Sequence, residues 1–97
     1  MQRKRTSRAV VSSEHLVLGR AARELRARRA CSQEELGHRS GLHRNYVGAI
    51  ERGEINATFR TLLALSSGLA VPLSELVLLY ERRRERTGAA RVGESHA

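Results

Sequence analysis

Apolar residues in the first 13 positions follow no period, and from Leu16 onward they recur at helical spacing. Leu16, Val17, Ala21, Ala22 and Leu25 form a stripe with Arg20, Arg23, Glu24 and Arg28 between them, as in a helix with one face against a core. The spacing predicts a first helix over about residues 15–29. Ser32 offers a side-chain oxygen to unpaired backbone N–H groups, and Glu35 follows three residues later. That is the capping box of a second helix. Ser40-Gly41 ends it early, with Gly41 expected at positive φ. Tyr46, Val47 and Ile50 mark a third helix that stops at Arg52-Gly53. After the connector Asn56-Ala57, Thr58 is the N-cap expected for a fourth helix carrying Phe59, Leu62, Leu63 and Leu65 and ending near Gly68. Pro72 suits the first turn of a fifth helix, where its missing N–H is not needed. Leu73, Leu76, Val77 and Tyr80 lie on that helix, which extends into residues 81–86. No stretch alternates with a period of two, so an all-α fold of five short helices is expected. The chain divides into a flexible basic arm (1–13), one compact domain (14–86) and a frayed tail (87–97).

Within that pattern the segment from Gln33 to Arg52 stands out. Two short helices joined by a glycine-containing turn have the geometry that projects the second of them into a DNA major groove. Gly37 keeps the face of the second helix small where the third must approach. Leu36, Leu42, Val47 and Ile50 point inward, leaving Arg44, Asn45, Gly48 and Ala49 to face out. Arginine and asparagine can make paired hydrogen bonds to guanine and adenine edges respectively.

Charge agrees with such a partner. The chain of 97 residues has a formal net charge of +8, and a basic excess attracts polyanions. Residues 1–14 contribute +3, including Arg3, Lys4, Arg5 and Arg8, and residues 81–97 contribute +2. Membrane is the weaker choice of partner. The longest apolar run, Leu76 to Tyr80, is far short of the roughly 20 residues that span a bilayer, and no signal-type stretch follows the basic start. A cytoplasmic protein, nucleoid-associated when bound to DNA, is expected. Cys31 is the only cysteine, which rules out an internal disulfide, and a buried inert thiol is the expectation. His15, His38, His43 and His96 show no metal-ligand spacing. There is no nucleophile–base–acid set, no phosphate-cradling glycine loop and no evident site for a small-molecule effector, so neither an enzyme nor a cofactor is expected. RNA binding would favour aromatic platforms, and only Tyr46, Phe59 and Tyr80 are available.

From about Leu18 to Val77 the chain resembles the Cro and phage-repressor (Xre-type) helix-turn-helix family. The matching pieces, in order, are LGRAARELRARRACSQEELGHRSGL, IERGE and LLALSSGLAVPLSEL. HRNYVGAIERGEINAT further resembles the small controller proteins of restriction–modification systems. The resemblance implies a lambda-repressor-like DNA-binding domain acting as a transcription regulator. It implies that Gln33 reaches DNA from the second helix, that Arg44 and Asn45 begin the reading helix near His43, and that Glu51 pairs with Arg26. Three residues depart from the family pattern. Gly37 stands where alanine is usual, Ala57 where proline is often found, and His43 where serine, threonine or aspartate is commoner.

Around this core the residues leave alternatives. Tyr46 either meets the sugar-phosphate backbone or covers the edge of the domain. Thr58 and Arg60 either bind a phosphate at a helix N-terminus or serve capping alone, and Arg52 is a phosphate contact or a free surface charge. The basic arm adds sequence-independent phosphate contacts or stays solvated. One face of the fifth helix cannot bury all of residues 76–80 in its own domain. A homodimer on a short inverted repeat is therefore expected, with Leu73, Leu76, Leu79 and Tyr80 as interface candidates. The alternative to a regulator is an antitoxin-like or other protein-interaction module, with DNA binding as autoregulation.

Overall fold

The structure, a computed structural model, describes residues 9–87, with the side chain of Thr87 excepted. Its elements run α1 (Ser13–Arg28), α2 (Gln33–Ser40), α3 (Arg44–Glu51), α4 (Phe59–Gly68) and α5 (Leu73–Thr87). No strand occurs among the described residues. Four of the five helices start on a side chain that occupies an orphan N–H of the first turn. The Ser12 hydroxyl accepts from the His15 amide at 3.1 Å. Ser32 and Glu35 complete the reciprocal capping box, at 3.0 and 2.9 Å. Thr58 accepts from Thr61 at 3.1 Å. At α3 the cap is an imidazole, the His43 Nδ1 atom accepting from the Asn45 amide at 3.0 Å.

α1 and α5 pack together at the back of the domain, while α2 and α3 pair at the front and α4 closes α2 from beneath. Leu36, Leu65, Leu69, Leu76 and Val47 are the largest fully buried side chains. Leu25, Ile50, Leu79 and Cys31 complete one continuous core around them. The Cys31 thiol is buried, as its apolar surroundings require. Gly37 has a steric reason: a Cβ there would strike the carbonyl oxygen of Leu42, the residue that leads into α3. Gly41 caps α2 in the left-handed region at φ 75°, where a side chain would be strained. Ala30 and Ala70 adopt the same region, at φ 51° and 60°, without glycine's freedom.

Several boundaries differ from the expectation. α1 starts two residues early, because its first turn (Ser13, Glu14, His15) is polar and escapes a rule that looks for apolar spacing. Of the expected arm, residues 9–13 fall within the described structure. Val11 donates its N–H to Gly53 O at 2.8 Å, and Ser12 belongs to the cap of α1. Residues 1–8 and the expected tail from 88 onward lie outside the described residues. The fifth helix also needs a correction. Leu76 and Leu79, expected at an interface, are 0% and 5% exposed. They face the core because they lie on the side of α5 that meets α1, and a buried side chain has nothing left for a partner. Leu73 and Tyr80 are half-buried against the same core. The apolar residues of α5 that stay outside are Val77 and Leu78. No single helix among the described residues is long and apolar enough to cross a membrane.

Candidate nucleic-acid interface

The turn at Gly41 brings α3 across α2 with its first turn outward. His43, Arg44 and Asn45 are exposed, while Val47 and Ile50 lock the opposite side of the helix into the core. No acid lies in the first turn of α3, so its N-terminal dipole is left to favour negative charge in front of it. Among the described residues Arg44 pairs with Glu34, its Nη1 lying 3.7 Å from Oε1 on the first turn of α2. Both side chains are more than half exposed, so water screens the pair and an anion can replace it at little cost.

Gly48 and Ala49 do not stand on this surface as expected. Both are buried, and over Gly48 lie the side chains of Gln33 and Arg52. A Cβ built on Gly48 would lie 3.0 Å from Arg52 Nη1, 3.4 Å from Gln33 Oε1 and 3.5 Å from Gln33 Nε2. Gly48 is thus the floor on which Gln33 and Arg52 rest. Ala49 lines a shallow depression with His43, Asn45, Tyr46 and Ile55. Tyr46 is half-buried and packs on the core, which favours the edge-covering alternative for its body. Arg52 is exposed and pairs with Glu54, Nε to Oε2 at 3.1 Å.

Beneath Gln33 lies a buried ionic group. Arg26 of α1 grips Glu51, the last residue of α3, through Nε to Oε2 at 2.6 Å and Nη2 to Oε1 at 3.0 Å. Its third nitrogen, Nη1, donates to Cys31 O at 2.8 Å. Gln33 adds a fourth bond, Nε2 to Glu51 Oε1 at 2.9 Å. Glu51 is only 6% exposed, and the hydrogen bonds its carboxylate accepts hold the Arg26 guanidinium above its ordinary pKa. A fork-to-fork pair of this kind fixes geometry as well as charge. It ties the start of α2 and the end of α3 to α1.

Thr58 and Arg60 are both exposed at the start of α4, where Thr58 is occupied by capping. Phe59 is 67% exposed beside them. Leu62 shares a cleft with Leu18, Val77 and Tyr80, and Leu63 is exposed. An apolar strip therefore runs from the start of α4 to the middle of α5. Sequence reasoning had not singled out Glu34 or Glu54, the acids beside the two surface arginines. Glu34 has its partner on another helix, and Glu54, two residues from Arg52, lies in a segment with no helical spacing to mark it. Among the described residues no group of three or more His, Cys, Asp or Glu is placed to hold a metal ion.

Comparison with known proteins adds to this geometry. The family model described as helix-turn-helix matches residues 23–76, which spans α2, α3, α4 and parts of the flanking helices. The control protein C.SmaI of Serratia marcescens is 39% identical over 70 residues, covering 72% of this chain and 83% of that protein. The crystal structure of the restriction–modification controller protein C.AhdI from Aeromonas hydrophila is similar with a TM-score of 0.65 and 39% identity, over 66% of this chain and 97% of that one. The controller protein C.Esp1396I shares the fold, with a TM-score of 0.73 at 24% identity, over 77% of this chain and 97% of that one.

Proposed function

The chain belongs to the helix-turn-helix family, and on that premise we propose that it regulates transcription as a homodimer reading a short inverted repeat with α3. It is a DNA-binding transcription regulator, similar to restriction–modification controller proteins. The observation that carries the finer reading is the exposed first turn of α3, where Arg44 and Asn45 project from a helix whose other side is locked in the core. Arg44 pairs with guanine N7 and O6, and Asn45 with adenine. Arg52, Arg60 and the N-terminus of α4 hold phosphates on either side. His43 opens the helix as its cap, and Gly48 contributes as the floor under Gln33 and Arg52 rather than by a contact of its own.

The strip made by Phe59, Leu63 and Val77, with Leu62 and Tyr80 at its base, supports a two-fold partner. A single small domain seldom leaves so much contiguous apolar surface to water, and a second copy offers the same strip in return. Two recognition helices so related lie about 34 Å apart, one turn of duplex. The site of action follows from the partner: the nucleoid, in the cytoplasm.

Selecting bound duplexes from a random pool tests this reading. The selected duplex is expected to contain an inverted repeat, and Arg44→Ala to weaken its binding about tenfold or more. Binding to random duplex should fall much less. Equal losses on both duplexes would make Arg44 a phosphate clamp and remove it from sequence reading.

A further inference from the structure

Gln33 is the first residue of α2 and lies across α3 at Gly48, half-buried. A glutamine side chain in that place has several rotamers and can present either end of its amide to a duplex. Here it has one orientation. Glu51 is paired with Arg26 through both carboxylate oxygens, and a carboxylate in an ion pair accepts hydrogen bonds. The amide nitrogen of Gln33 must therefore face it, which the 2.9 Å bond records. The remaining polar capacity of the amide is then fixed: the Oε1 acceptor and one N–H. That acceptor–donor pair, held side by side, is the complement of the N6 amino group and N7 of adenine.

We infer that Glu51 is a positioning residue for base reading: it anchors one N–H of Gln33 so that the carbonyl oxygen and second N–H read adenine at one base pair of each half-site. This rests on the proposed reading of the major groove and adds Gln33 to it as a base reader oriented from below. The same carboxylate closes the ion pair with Arg26, so the fold and the reading of one base share a single group. The rotamer freedom that a free glutamine would lose on binding is lost here already in folding, a gain in preorganisation.

The test compares duplexes selected by the wild-type protein, Gln33→Ala, Arg44→Ala and the double variant Arg26→Met/Glu51→Met. Replacing both members of a buried ion pair with apolar residues of similar size commonly keeps the fold, and cooperative melting checks that it has. The expected result is that Gln33→Ala removes the preference for adenine at one position. The double variant should relax the same position by about tenfold while leaving the Arg44-dependent position intact. A folded double variant with an unchanged preference there would overturn the inference and leave Glu51 a structural residue. Should Gln33→Ala leave every position unchanged while Arg44→Ala alters one, the inference fails and groove reading stands. Should neither alter any position, groove reading itself fails. A readout independent of the double variant's folding is the side-chain amide signal of Gln33 in the wild-type protein, for which Gln2 is the only other glutamine. One Gln33 amide proton is expected to be protected from exchange with water, and exchange as fast as that of a glutamine in a short unstructured peptide would overturn the inference.

Discussion

At the scale of single residues, this surface is defined by what lies under and beside its contact groups. Gly48 shows it most clearly. Its buried backbone carries the Gln33 amide and the Arg52 guanidinium, and glycine inside a helix costs about 1 kcal/mol relative to alanine. A Cβ there would crowd only the far end of Arg52, at 3.0 Å, and meet Gln33 at ordinary contact distance. Gly48→Ala is therefore expected to raise thermal stability by up to about 1 kcal/mol and to weaken DNA binding by displacing Arg52. Melting and duplex titration on the same sample check both halves, and a destabilised variant would contradict the account of the floor. The exposure of Arg44 and Asn45 was legible from their position in the motif, and the Arg26–Glu51 pairing from the family resemblance. The sequence did not reveal that Gly48 is covered, because the covering side chains, Gln33 and Arg52, come from α2 and from just beyond α3.

Among the helices, caps and cross-links decide what moves together. The capping box at Ser32 and the stop at Gly41 could be read from residue types alone, since both are local chemistry. The imidazole cap at α3 could not, because histidine is not a usual cap and only the bond from the Asn45 amide reveals it. The staple between α1 and α5 was equally hidden. Arg83 donates to Glu24 through Nε at 2.9 Å and Nη2 at 2.6 Å, across a long sequence separation. These bonds from Arg83 hold the Glu24 carboxyl below its ordinary pKa. A carboxyl depressed in the folded state contributes stability that is present above its unfolded value of about 4.3 and lost as pH falls through the lower folded value. Glu24→Gln is accordingly expected to melt below the wild type at pH 7, with the gap closing as pH falls below about 4.3. A gap that persists undiminished at pH 2 would show that the staple acts through something other than charge.

At the scale of the whole molecule, the five-helix order was legible because each helix carries its own start and stop. Which side of α5 faces the core was not. Five consecutive apolar residues at 76–80 satisfy more than one helical phase, and only packing against α1 selected Leu76 and Leu79. With those two withdrawn, the surface left for a second copy is Phe59, Leu63 and Val77. Val77→Asp places a charge in its middle. It is expected to give a folded monomer in sedimentation and to cost at least about tenfold in affinity for the two-half-site duplex, since each copy must then bind alone. A wild-type protein that sediments as a monomer at tens of micromolar, free and on DNA, would remove the two-fold arrangement.

The most direct test of the central claim is a crystal structure of the protein on its selected duplex. α3 is expected in the major groove of each half-site, with Arg44 and Asn45 within hydrogen-bonding distance, about 2.7–3.2 Å, of base-edge atoms. A complex in which α3 faces solvent, or in which both side chains touch only phosphates, would contradict it.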